Sequence, residues 1–141
     1  MKGNIYISGI IDKNSDPNYL YGRTILEEEL NNHFDIQKYS SELKKLGVIY
    51  KAFAENGVIP HGNHDKKYKR KDKALVLYLS LSYNDFVNAN KEQAIRMMSE
   101  LYLVGINLFL LKWKDFDYNN FYKDVEKLFA AKKWITTNAN N

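Results

Sequence analysis

The chain has 141 residues, 45% of them hydrophobic and 27% charged, with a formal net charge of +4 and no cysteine. That length suits one domain over residues 1–135, followed by a polar ending, 136–141, with almost no apolar anchor and the character of a disordered tail. The lack of Cys excludes a disulfide framework, a thiol nucleophile and any Cys-ligated metal, and an aromatic share of 14% excludes an intrinsically disordered chain.

Residues 4–12 read as a first strand, with Ile5, Ile7, Gly9 and Ile11 on one face and Tyr6, Ser8 and Ile10 on the other. Both faces are largely apolar, the pattern of a central strand. No apolar stretch in this region is long enough for a signal-peptide core, which points to the cytoplasm. Asp16-Pro17 predicts a helix start: Asp can cap a free backbone N–H, and Pro at the first helical position gives up a donor without a partner. A helix over 17–33 would turn Leu20, Thr24, Leu30 and Phe34 toward the core. Ile25 and Leu26 would lie at its margin, and Glu27, Glu28 and Glu29 would face solvent.

Alternation of Leu46, Val48, Tyr50, Ala52 and Ala54 predicts a strand over 45–55. The turn-rich stretch 57–65 (GVIPHGNHD) reads as a connection. Strand character is strongest at 73–83, where Leu75, Leu77, Leu79 and Leu81 point one way and Val76, Tyr78, Ser80 and Ser82 the other. An antiparallel pair with 45–55, buried on one face and wetter on the other, is expected.

Asn90 and Gln93 have capping-box spacing, and Ile95, Met98, Leu101/Tyr102, Gly105/Ile106 and Phe109 then recur at helical spacing up to about Trp113. The apolar run 101–111 spans about half a membrane and contains Asn107, so it reads as a buried helix. A last helix starts at Asp117, with Phe116 and Phe121 placed as a hydrophobic staple and Val125, Leu128 and Phe129 continuing its stripe. The predicted class is α+β, order β-α-β-β-α-α: a small antiparallel sheet of about three to four strands against about three helices.

Phosphate-loop, dinucleotide-binding, nucleophile-elbow and HExxH motifs are absent, so no enzyme is expected. His61 and His64, next to Asp65, are the nearest approach to a metal-ligand cluster, but the plainer reading is a polar turn; neither metal nor cofactor is expected. The densest charge lies in Lys66, Lys67, Tyr68, Lys69, Arg70, Lys71, Asp72 and Lys73, six basic residues and one acid. Its local +5 exceeds the +4 of the whole chain, leaving the remainder near −1. Such a segment can meet an acidic protein surface, grip phosphates with Tyr68 stacking on a base, or serve only as a solvated hairpin arm whose lysines discourage edge aggregation. Lysine outnumbers arginine, which weakens the nucleic-acid reading. Lys66, Lys67, Tyr68, Lys69, Arg70 and Lys71, with His61 and His64 beside them, are the candidate partner-binding residues.

The opening strand Tyr6-Ile7-Ser8-Gly9-Ile10-Ile11-Asp12, the passage Ser82-Tyr83-Asn84-Asp85-Phe86 before a long helix, and the ending Phe116-Asp117-Tyr118-Asn119-Asn120-Phe121-Tyr122-Lys123-Asp124-Val125 carry a resemblance. Together they resemble small bacterial immunity proteins of polymorphic toxin and contact-dependent growth inhibition systems. The resemblance implies a cytoplasmic α+β inhibitor without catalytic residues, which binds the toxic C-terminal domain of a cognate effector. It departs in charge: immunity proteins against nucleases are frequently acidic, and this chain is basic. The resemblance therefore implies a toxin with an acidic surface, or a contact away from a phosphate-binding groove. The alternative is a small nucleic-acid-binding domain using 66–73, and a weaker one is a hydrolase built on His61 and His64.

Overall fold

The sequence alternations over 4–12, 45–55 and 73–83 give three strands with apolar faces, and in the computed structural model, which describes residues 3–11, 16–52 and 64–136, those faces line up within a four-stranded sheet. The strands are β1 (Ile5–Ile11), β2 (Lys45–Ala52), β3 (Asp65–Lys69) and β4 (Ala74–Ser80), in the order β1-β2-β4-β3. The helices are α1 (Asp16–His33), a short α2 (Tyr83–Val87), α3 (Lys91–Leu110) and α4 (Tyr118–Ala131). The α+β class and the strand number agree with the sequence reading. The Asp16 side chain, the 57–63 part of the turn and the ending beyond Thr136 lie outside the described residues.

The pairing differs from expectation. β2 runs parallel to both β1 and β4, with Val48 opposite Ile7 on one side and Leu77 on the other. β4 finds its antiparallel neighbour in β3 instead. Alternation has the same period in either strand direction, so it could phase β2 and β4 but not orient them. β3 itself has Tyr68 as its only apolar residue, which hides a strand inside a charge run. β4 is central and buried on both faces: Val76 and Ser80 are as buried as Leu77, as a parallel interior strand requires. β1, read as central, is an edge strand with Ser8 and Ile10 exposed.

Ile5, Ile7, Leu46, Val48, Tyr50, Leu75, Leu77 and Leu79 form the sheet side of the core, and Leu26, Leu30, Ile95, Met98, Tyr102, Ile106, Phe121 and Phe129 close it from the helices. Two glycines let the layers approach. A Cβ on Gly22 would come within 2.7 Å of the Met98 sulfur, and one on Gly105 within 2.8 Å of Leu79. The α3 cap is the capping box read from the sequence: Asn90 accepts from Gln93 N, and the Gln93 side chain accepts from Asn90 N. Asp117 caps α4, and the staple pair Phe116–Phe121 meets edge-to-face at 5.4 Å.

The buried stripe of α1 is Tyr19, Gly22, Leu26 and Leu30; Leu30 and Phe34 are buried as read, whereas Leu26, read at the margin, is fully buried, Thr24 is exposed and Leu20 is 58% exposed. A second stripe on the same helix does unusual work. Asn31 accepts from Ile5 N and donates to Ile5 O, Glu27 accepts from Ile7 N at 2.6 Å, and Arg23 donates to Ile7 O at 2.6 Å. Residues 27 and 31 stand about 6 Å apart along the helix, close to the ~6.7 Å between alternate strand residues, so they reach Ile7 and Ile5 in the rhythm of a missing strand, and Arg23 completes the pairing of Ile7. Glu27 is thus a structural ligand of β1, and Glu29 receives Lys132 at 3.2 Å; Glu28 alone of the three acids is exposed.

Tyrosine hydroxyls set the alkaline limit of this fold. Burial raises Tyr50 well above its ordinary value and also raises Tyr19 and Tyr102. Burial, followed by the hydrogen bond and charge of Asp124, pushes Tyr39 up to about 12. The folded chain holds these protons more tightly than the unfolded chain, so their stabilisation is complete below about pH 10 and is lost as pH rises beyond it. Thermal melts should give a constant Tm from about pH 7 to 9 and a falling one above about pH 10, in step with the tyrosinate absorbance.

Candidate functional site

β3 and the turn after it fold the basic run into a hairpin. Asp72 N donates to Lys69 O and Lys73 N to Arg70 O, and Lys73 adopts a left-handed φ of 52°. That conformation disfavours a side-chain-bearing residue by about 1 kcal/mol. It is held because the Lys73 carbonyl accepts from both Lys44 N and Lys45 N.

Strand geometry then divides the candidate residues. Lys66 and Tyr68 pair in register with Leu77 and Leu75 and so share the helix side of the sheet. Lys67 and Lys69 pair with Val76 and Ala74 and face the opposite side. Arg70 and Lys71 sit at the hairpin tip, exposed. On the helix side an aromatic group gathers around Lys66. Its Nζ lies 5.8 Å from the Phe109 ring centroid and 5.5 Å from that of Trp113, and Tyr68 meets Trp113 edge-to-face at 5.3 Å. Among the described residues no carboxylate pairs with Lys66, Lys67, Lys69, Arg70 or Lys71, so their charge is directed outward. The opposite side carries a smaller counterpart, Lys51 over the Tyr78 ring at 4.8 Å. Cations spread over two sides of a strand do not form the single stripe that tracks a phosphate backbone.

Part of this surface was not legible beforehand. Met97, Leu101, Val104, Leu108 and Leu111 recur at intervals of four and three along α3, and the last three are 46%, 54% and 50% exposed. The run 101–111 is apolar apart from Asn107, so periodicity could not say which of its apolar residues face the sheet. The buried set proved to be Tyr102, Leu103, Gly105, Ile106 and Leu110. The reading of the whole run as a buried helix is corrected accordingly. Trp113 and Phe109, read as core or helix-end packing, stand half-buried beside β3.

His64 precedes β3, and its Nδ1 accepts from Ser80 N at 3.0 Å, which ties the hairpin entry to the end of β4. His61 lies outside the described residues, and among those described no group of three His, Asp or Glu side chains could hold a metal ion. A cleft of about 560 Å³ is lined by Asp85, Asn88, Gln93, Arg96, Met97 and Glu100.

A family model for Immunity protein 44 matches residues 4–131, nearly the whole length of the chain. The chain belongs to the immunity protein 44 family. No curated protein and no solved structure matches it significantly. Membership bears out the resemblance read from the strand and helix motifs at the level of an immunity protein, and it implies a toxin as partner. Among the described residues no helix is long and apolar enough to cross a membrane.

Proposed function

We propose that this immunity protein is a cytoplasmic, non-catalytic inhibitor of the toxic C-terminal domain of a cognate effector, of the contact-dependent growth inhibition type. It acts by covering the toxin with the surface made by β3, its hairpin tip and the C-terminal end of α3. The observation that carries the reading is the family match over residues 4–131. Its placement on the molecule is supported by the half-buried Tyr68–Phe109–Trp113 group, capped by Lys66 and flanked by cations without an internal acid among the described residues. Large aromatics that bury area at small entropic cost, ringed by charge, are the composition of an interface hot spot.

Co-expression with the toxin domain encoded beside it is expected to restore growth and yield a stable complex; toxicity without rescue, and no complex, defeats the reading. Trp113→Ala should weaken that complex by roughly tenfold to a hundredfold, about 1–3 kcal/mol, for the folded protein, and should also lower thermal stability, because the ring packs against the core and its Nε1 is buried. Calorimetric titration of the toxin domain into each variant measures it.

A further inference from the structure

The two edges of this sheet are treated in opposite ways. On β1, the backbone groups of Ile5 and Ile7 that face away from β2 are already taken by Arg23, Glu27 and Asn31 of α1. No strand can add there without dislodging that helix. On β3, Asp65, Lys66, Lys67 and Lys69 are all exposed, and no described residue pairs with its outer side. An edge left open among the described residues is a template for another extended chain.

The charges select which chain. A second copy would set one +5 hairpin run against another, and like charges opposed across a strand pair repel. A DNA backbone offers acceptors to the cations but no donors for the strand's carbonyls, and RNA adds only its 2′-hydroxyls, not the alternating donors and acceptors of a strand. A polypeptide carrying carboxylates satisfies both the edge and the lysines. We propose, building on the toxin-binding reading above, that an extended acidic segment of the protein partner adds to β3 as a further strand of the sheet. Its carboxylates recur every second residue to meet Lys67 and Lys69. Its other face meets Lys66 with a carboxylate and the Tyr68–Trp113 pair with an apolar side chain.

The test uses the full chain in complex with the co-expressed toxin domain, read by amide hydrogen exchange and by titration. Exchange at residues 65–69 should slow at least tenfold in the complex. Lys67→Glu/Lys69→Glu should weaken binding at least tenfold and flatten its salt dependence, whereas the equal-sign change Lys123→Glu on α4 should leave it within about twofold. A complex that forms with unaltered exchange at 65–69 overturns strand addition while leaving toxin neutralisation intact. Failure to form any complex overturns the toxin-binding reading and this inference with it. Retention of RNA by the free chain at low salt, abolished by the double charge reversal in the absence of the toxin domain, or self-association of the free chain through β3, would also overturn it.

Discussion

Phe121→Ala should bring the chain close to unfolding, at a cost of about 3–5 kcal/mol against a typical domain stability of about 5–15 kcal/mol. Phe121 is fully buried at the first turn of α4 and is the hub of an aromatic cluster. Its ring meets Phe34 at 5.8 Å, Tyr39 at 5.0 Å and Phe116 at 5.4 Å, each edge-to-face. Truncation leaves a cavity bounded by three rigid rings, which collapse poorly, so the upper part of the range applies. Phe121→Leu keeps most of the volume and should lose about 1–1.5 kcal/mol. Urea unfolding with an unchanged m-value would measure both losses. The folded fraction of Phe121→Ala should still bind the toxin domain with native affinity, because α4 lies outside the β3 surface.

Asn31→Leu should cost about 2–4 kcal/mol, and Asn31→Ala about half as much. Asn31 is a polar residue of the helix face that holds both backbone groups of Ile5. A leucine of similar volume leaves that N–H and C=O unpaired and shuts water out, so each bears the full penalty of about 1–3 kcal/mol for a buried unsatisfied group. Alanine admits water to both and recovers part of the loss. The ordering is opposite to what apolar burial alone would give, and denaturant midpoints of the two variants decide between the accounts.

Much of this protein was written locally. The capping box of Asn90 and Gln93, the Asp117 cap and the Phe116–Phe121 staple each need only neighbouring residues, and each was found as read. Which residues of β2 and β4 share a face followed from alternation, though the face of β4 read as wetter is buried at Val76 and Ser80, and the concentrated charge of 66–73 pointed to the hairpin before its strand was known. Less was legible where two partners decide the outcome. Leu20 looked like core and is exposed, because α1 turned the 23–27–31 stripe toward β1 to close an edge that no sequence pattern announces. On α3 an apolar run gave no phase, and only the sheet beneath it selected which leucines were covered.

The sequence by itself determined the α+β class, the helix starts, the alternating faces and the position of the charge, since periodicity, caps and composition act within a few residues. It also carried the motifs by which the chain was recognised as resembling an immunity protein. Tertiary structure decided the parallel run of β2 beside β4, the closing of one sheet edge and the exposure of the other. It alone brought Lys66 and Tyr68 to Phe109 and Trp113, more than forty positions away along the chain. Strand direction and long-range contact depend on which pairings satisfy all the backbone hydrogen bonds and bury all the apolar faces together, a condition no single segment can express.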